Sequence, residues 1–585
     1  MVPFRFRNLL LNFNISRHMV IENTRYIHKY IFKMDKAYLR HLDDETFDFT
    51  FKYVNEELKV NRQFNLSRKS SETVEAFLQR VSANLEKVIS KKNKKKKDTD
   101  TSTPHLNISL TVNNDDVDKS MFCYEIFRER SQISLRINET TYHVIVNSPW
   151  IYALALPACM MADFPVYPSK YDTTYTDKDK SQFLWSKSKN KQTWVHAGEG
   201  YIFHPTTEDI GHYLKLSCLP RNDRLEGPVA EAISSCVVEA GPGECPFERR
   251  HAFTKSRVEE KEFRVVTYNI LADLYCDSDY TRQVLFPYCP PFALSIDYRK
   301  ELILKEIIGY NADMIALQEV DRKVFKYDLE PTLSQLGYDG TLTTKGEEVA
   351  EGLAFFTFKK RFNLLRSAKI VFAEQLPKNP LYSSIWCEVQ KNEQLMTRVL
   401  NRSTTMQVNL VISVEHDEMI LVGNIHMYFH PDADHIRLLH GGMAILYLED
   451  LVKKLRKENT DKRVSLILCG DFNSTPDCGI YKLYTTGDVS KDCIDYQSNK
   501  EEAIQNIEFK QELKLNSACG TPQYTNFTAG FANCLDYIYY DTDNLQVSQV
   551  VPLPSQEELT QNVALPSVVF PSDHIALISD LKWNQ

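Results

Sequence analysis

The residues able to do chemistry stand where runs of apolar sequence stop. Asn269 closes one such run after Thr267 and Tyr268, Glu319 closes a second after Gln318, and His426 closes a third after Ile425. A fourth ends in Cys469, Gly470, Asp471, Phe472, Asn473 and Ser474. Asp536 stands just before a further run, and Ser572, Asp573 and His574 stand before the last. Ligands collect at strand ends in open α/β folds. Asn269, Glu319, His426, Asp471, Asn473, Asp536, Asp573 and His574 are therefore candidates for a single rim. Their types suit hydrolysis of a phosphodiester, which needs an attacking water, neutralised phosphoryl oxygens and a stabilised leaving oxygen. Magnesium takes oxygen ligands and keeps several waters. Asp and His pairs orient and deprotonate water, and neutral Asn and His donors hold phosphoryl oxygens as charge develops. No side-chain nucleophile is required.

Each residue alone has a plainer reading. A Glu at a strand end can be a cap, an Asp-His pair can be a satisfied hydrogen bond, and Gly470 to Asn473 can be a turn, which Asp favours through its own hydrogen bonds. The set, in this order along an alternating chain, is what is specific. Strands are expected over 264–268, 313–317, 353–358, 408–414, 419–425, 464–469, 537–540 and 574–577, with helices over 298–308 and 436–455. This alternation predicts an α/β catalytic domain over 263–585.

Upstream, 239–262 opens on a stretch rich in Gly and Pro and reads as a linker. A β-rich domain is expected over 43–238. It begins with a strand over 43–54 and a helix over 72–90, apolar at Val74, Phe77, Leu78, Val81, Leu85 and Val88. Residues 91–104 are Lys-rich and predict a disordered loop, a solvated linker or a weak RNA contact. Further on, Trp185 on a strand and the spacing Asp209, Gly211, Leu214, Cys218 look immunoglobulin-like. Nothing in this domain suggests catalysis; substrate capture or packing on the next domain are its expected roles. The segment 1–42 carries Arg5, Arg7 and Arg17 with no acidic residue before Glu22. That is the pattern of a mitochondrial transit segment, or else of a basic helix that docks; the matrix is the expected location.

The chain has 585 residues and a formal net charge of -8. A protein that grips long nucleic acid by charge alone is usually basic, so any nucleic acid here is expected in a local site where bound cations supply positive charge. The 13 cysteines lack the spacing of a zinc site and read as reduced thiols. No apolar run is long enough to span a membrane, and no obligate protein partner is implied.

With these motifs in place, the sequence resembles the exonuclease–endonuclease–phosphatase superfamily, over essentially all of 263–583. The resemblance implies a four-layer α/β sandwich, two packed sheets flanked by helices. The style of 268–272, 317–320 and 470–474 is that of the deadenylase branch, which includes nocturnin. Segments 237–247, 284–298, 308–321, 517–526 and 550–555 resemble the mitochondrial 2′-phosphodiesterases within it. By that resemblance Glu319 is the principal ligand of one or two Mg2+ ions, for which Mn2+ can substitute, and Asn269, Asp573, Asp471 and Asn473 help to hold them. Asp471 orients or deprotonates water, Asn473 and His426 bind the scissile phosphate, and Asp536 and His574 pair beside it; Asp471 and His574 compete for the role of base. Phe531 falls where the deadenylases stack an aromatic residue on adenine, although a core aromatic is the equal alternative. Pro431 matches a proline packed near the base. The implied substrates are adenylate-rich RNA and 2′,5′-oligoadenylate. The alternatives are a nocturnin-like NADP(H) 2′-phosphatase and a catalytically silent RNA-binding scaffold.

Overall fold

The computed structural model describes residues 35–584, apart from 44, 58–59, 94–105, 129–131 and 346–348. The expected transit segment, up to residue 34, and the expected Lys-rich loop, from residue 94, lie outside the described residues. The chain divides into two compact units. The first holds the residues up to 151 together with 173–181 and 219–228; the second holds 152–172, 182–218 and 229–585.

The first unit is built on a seven-stranded sheet. Its strand Asp35–His41 pairs antiparallel with Thr46–Asn55 and parallel with Thr140–Val146. The last residues of the segment expected to be a transit signal, 35–41, thus form a folded strand: Ala37 and Leu39 are wholly buried, and the Arg40 guanidinium lies 3.8 Å over the Trp150 ring. Lys36 and Arg40, which count toward a basic leader, belong to a folded strand whose apolar positions alternate with a period of two. The helix Val74–Asn93 buries Val74, Phe77, Val81 and Leu85, spaced as one helical face requires. Phe77 meets Phe47 and Phe49 of the sheet edge-on or tilted.

The strands expected to form one domain over 43–238 thus belong to separate sheets. Past residue 148 the immunoglobulin-like pattern corresponds to a four-stranded sheet, in the order Val195–Glu199, Asp177–Ser188, Tyr213–Arg221, Ala230–Val237. Trp150–Ala155 and Lys170–Thr174 form a two-stranded ribbon. Trp185 is wholly buried, stacks on Phe203 and donates its indole N–H to Gly200 O at 2.8 Å. Cys218 is a buried free thiol. Met161 and Phe164 share one apolar cluster with Phe247, Leu302 and Phe570 of the catalytic region. Tyr167 donates to Asp328 at 2.9 Å and Met161 N donates to Glu301 at 3.1 Å. These contacts pack the stretch from Met161 to Tyr167 on the catalytic region.

The catalytic region carries two six-stranded sheets. One runs Tyr338–Thr344, Glu351–Phe358, Met314–Asp321, Glu262–Asn269, Leu577–Trp583, Leu545–Val550. The other runs Phe362–Val371, Thr405–Ser413, Glu418–His426, Arg463–Asp471, Asp536–Asp541, Leu515–Ser517. Arg463–Asp471 shows why the sheets stack. Ile467 and Cys469 join Val265, Met314 and Phe355 in the cluster between the sheets. Val464, Leu466 and Leu468 point the other way and pack with Ile436, Leu439 and Met443 of the helix Asp434–Glu458. A strand covered on both faces reads as a continuous apolar run, and that run is the signal the sequence displays. The helix Ile296–Gly309 lies against the first sheet on its other face, with Glu306 beside Tyr268 of Glu262–Asn269, so the α/β expectation of packed sheets flanked by helices is met.

Candidate active site

The first sheet supplies Asn269 and Glu319. Asn269 ends its strand in register with Gln318. The pairing of Met314–Asp321 with Glu351–Phe358 slips between Leu317 and Val320, and Glu319 sits at φ +57°. A bulge re-aims a side chain, and a left-handed non-glycine residue costs about 1–3 kcal/mol that its surroundings must offset. They do so here. Glu319 Oε1 accepts from Asn269 Nδ2 and Oε2 accepts from Ala272 N, both at 3.0 Å.

The second sheet sets His426, Asp471 and Asp536 side by side on three adjacent strands, because His426 registers with Asp471 and Asp471 with Asp536. Gly470 makes the close approach possible: it lies at φ +147°, and a Cβ there would fall 1.9 Å from Ile425 O. Asp471 Oδ1 accepts from Asn473 N at 2.9 Å and Oδ2 from Asn269 Nδ2 at 3.0 Å. That second bond joins the two sheets. The Nε2 atoms of His426 and His574 both lie 3.6 Å from Asp471 Oδ2.

His574 reaches this point from a loop before the last strand. Ser572 Oγ donates to Asn269 O at 2.7 Å and accepts from His574 N at 3.1 Å. Arg299, wholly buried, donates to Ile270 O, Leu271 O and Pro571 O and so ties the loops of the rim together. The His574 ring joins Asp536 Oδ2 through Nδ1 at 2.8 Å, and the same oxygen accepts from Thr525 Oγ1 at 2.6 Å.

The electrostatics separate the two histidines. Burial opposes a charge on His574, but Asp536, Asp471 and Asp573 outweigh it and hold the imidazolium well above its ordinary range. Burial, with Lys345 and His574 adding to it, holds His426 neutral. Burial raises the Asp471 carboxyl while His574 pulls it down. Burial pushes Glu319 up to about 7, and the neighbouring Glu351 and Asp573 push the same way.

That crowding is the test of fit for a cation. Several carboxylates share a buried pocket, and oxygen donors are what magnesium prefers. Glu319, Asn269 and Asp573 could hold such an ion. Asp471, Asp536 and His574 also present ligand atoms within 4.8 Å of one another. In that trio, however, His574 Nδ1 is already committed to Asp536, so an aspartate–histidine–aspartate line is the better description.

Asn473 lies beside Asp471 at φ +48°, with one amide hydrogen given to Met427 O at 3.0 Å. Asp573 accepts from Asn526 Nδ2 at 3.1 Å. Phe531 is not a core residue. It is 46% exposed, in the turn between Asn526–Phe527 and Ala532–Asn533, the first of which carries the Asn526 amide that donates to Asp573. Pro431 is exposed in the turn after His426. Sequence reasoning missed Lys345, Glu351, Tyr275 and Thr525. Lys345 Nζ lies 2.8 Å from His426 Nδ1 and 2.6 Å from Glu351 Oε1, and Tyr275 donates to Glu351 at 3.3 Å. A Glu opening the apolar run EGLAFFTF was the available signal for Glu351.

Residues 266–574 match the Endonuclease/Exonuclease/phosphatase family, and 148–239 match the 2′,5′-phosphodiesterase 12-like N-terminal domain. The mouse protein 2′,5′-phosphodiesterase 12 is 41% identical over 471 residues, 77% of this chain and 76% of that one. The chain belongs to the endonuclease/exonuclease/phosphatase family. Within that family it groups with the 2′,5′-phosphodiesterase 12-like members, and it is a phosphodiesterase. The human 2′,5′-phosphodiesterase 12 is also 41% identical over the same share of both chains. The Candida albicans CCR4-Not complex 3′-5′-exoribonuclease subunit Ccr4 is 28% identical over 55% of this chain and 41% of its own length. Among solved structures, ANGEL2, a 2′,3′-cyclic phosphatase, matches at a TM-score of 0.45 with 21% identity, over 55% of this chain and 96% of that one.

Proposed function

We propose that this chain is a magnesium-dependent 3′-exoribonuclease of the mitochondrial matrix. It cleaves 2′,5′- and 3′,5′-linked oligoadenylate, removes poly(A) from mitochondrial RNA and releases AMP. The likeness to 2′,5′-phosphodiesterase 12 and to an exoribonuclease supports the substrate class. The observation that carries the chemistry is the line from Asp536 through His574 to Asp471, with Glu319 across from it.

An ion at Glu319, Asn269 and Asp573 would supply positive charge to the phosphoryl oxygens. The protein's own residues do the rest. His574, held as an imidazolium by Asp536, cannot take a proton, so Asp471 is the base for the attacking water. A carboxyl raised by burial suits that task at neutral pH. His574, keeping its charge, donates a hydrogen bond from Nε2 to a phosphoryl oxygen, and neutral His426 adds a second beside it. Phe531, exposed at the mouth, offers a stacking surface for adenine, worth about 1–3 kcal/mol.

The test is product analysis on 2′,5′-oligoadenylate, 3′,5′-oligoadenylate and NADPH, with magnesium, with manganese and with excess chelator. AMP should appear from both oligonucleotides with either metal and from neither in chelator. Faster release of phosphate from NADPH would favour a 2′-phosphatase, and full activity in chelator would overturn the metal assignment. Imaging of chains with and without residues 1–34 tests the location; import of the shortened chain would refute it.

A further inference from the structure

Lys345 lies outside every motif that marks the site, yet its side chain ends inside it. The backbone is pinned on both sides: Lys345 N donates to Glu351 O at 3.2 Å, and Lys345 O accepts from Thr405 Oγ1 at 3.4 Å. The ammonium is held by Glu351 Oε1 at 2.6 Å, and Glu351, wholly buried, also accepts from Tyr275. From this fixed position Nζ meets His426 Nδ1 at 2.8 Å.

An ammonium has three hydrogens and no lone pair, so it can only donate. Nδ1 of His426 must therefore be the acceptor, and the single proton of the neutral ring must sit on Nε2. That atom lies 3.6 Å from Asp471 Oδ2 and 3.8 Å from Glu319 Oε1. Both distances exceed a good N–H···O hydrogen bond. The proton is thus aimed into the site and not consumed there.

We propose that Lys345 is a positioning residue: held by Glu351, it fixes His426 in the tautomer whose Nε2–H faces the scissile phosphate. The proposal rests on His426 being a phosphate-binding group, and it accounts for the lysine standing 2.8 Å from the far ring nitrogen of that histidine. Without the ammonium the ring is free to place its proton on Nδ1, or to turn. The phosphoryl oxygen would then face a lone pair instead of a donor. Lys345→Met keeps the unbranched stem to within one atom and removes the donor, and Lys345→Arg restores a cationic donor at the same place.

Two measurements decide the matter. Histidine-labelled full-length enzyme, with the His426 signals assigned from their loss in His426→Gln, reports which ring nitrogen carries the proton. No substrate is needed, so this reading is independent of which linkage the enzyme cuts. The protonated nitrogen should be Nε2 in the unaltered enzyme, and the signal should move to Nδ1 or to a mixture in Lys345→Met. In turnover of 2′,5′-oligoadenylate, Lys345→Met should lose roughly tenfold to a hundredfold in kcat, below the 10²–10³ lost when such a donor is deleted outright. KM should change little, and Lys345→Arg should recover part of the loss. A proton on Nδ1 in the unaltered enzyme would overturn the proposal. So would a raised KM with kcat preserved in Lys345→Met, which would make Lys345 a direct substrate contact.

Discussion

Asp471→Asn is the most informative single change, because the structure fixes what each oxygen of this carboxylate does. Oδ1 accepts from Asn473 N at 2.9 Å and Oδ2 accepts from Asn269 Nδ2 at 3.0 Å. Both partners are donors, and the residue is 1% exposed. An asparagine has one oxygen, so whichever way its amide turns, an NH2 group must face an N–H. A buried donor left facing a donor costs about 1–3 kcal/mol, and the fold should weaken by that amount in denaturant titration. Loss of the base should lower kcat roughly a hundredfold or more. Binding of an uncleavable oligoadenylate should change little, because the loss lies mainly in the transition state. Stability, binding and turnover thus report on different things. A capping aspartate would give only the first effect. A destabilised Asp471→Asn enzyme with unchanged kcat would therefore refute the assignment of the base, and with it the division of labour between Asp471 and His574.

Phe531→Ala should weaken oligoadenylate cleavage and narrow the preference for A over U, with unaltered stability because the ring is exposed; equal kinetics on both homopolymers would remove it from the substrate site. A chain beginning at Asp35 should fold as the full chain does. One beginning at Asp43 loses an internal strand with Ala37 and Leu39 wholly buried, and should show a less stable first unit by limited proteolysis. A third expectation concerns pH. Burial pushes Glu306 up to about 6, although Tyr310 and Arg250 pull the other way. An unfolded glutamate titrates near ~4.3, so the folded state holds this proton more tightly. The stability tied to it is fully present below about pH 4.3 and is lost as pH rises through 6, by roughly 2 kcal/mol. The difference in unfolding free energy between the unaltered enzyme and Glu306→Gln should follow that course, and a flat difference across the range would refute it.

The strands of the catalytic region were legible because a strand covered on both faces is a continuous apolar run, and the site residues were legible because they stand where such runs stop. Arg463–Asp471 and Glu418–His426 are both of this kind. Tyr338–Thr344 and Phe362–Val371 were not foreseen, since edge strands with one exposed face carry a weaker apolar signal. The strand Asp35–His41 was hidden by its own Lys36 and Arg40, whose charges matched a leader while Ala37 and Leu39 faced a core.

By itself the sequence determined which residue types stand at the strand ends, and so the class of chemistry, because period and polarity are local properties of the chain. Only the tertiary structure decided which of them meet. Asn269 bridges Glu319 and Asp471 across 50 and 202 residues of chain, a contact that exists because two sheets stack face to face. The same stacking brings Lys345 to His426 from 81 residues away. No local pattern marks that lysine, because its role comes entirely from the lone pair it faces.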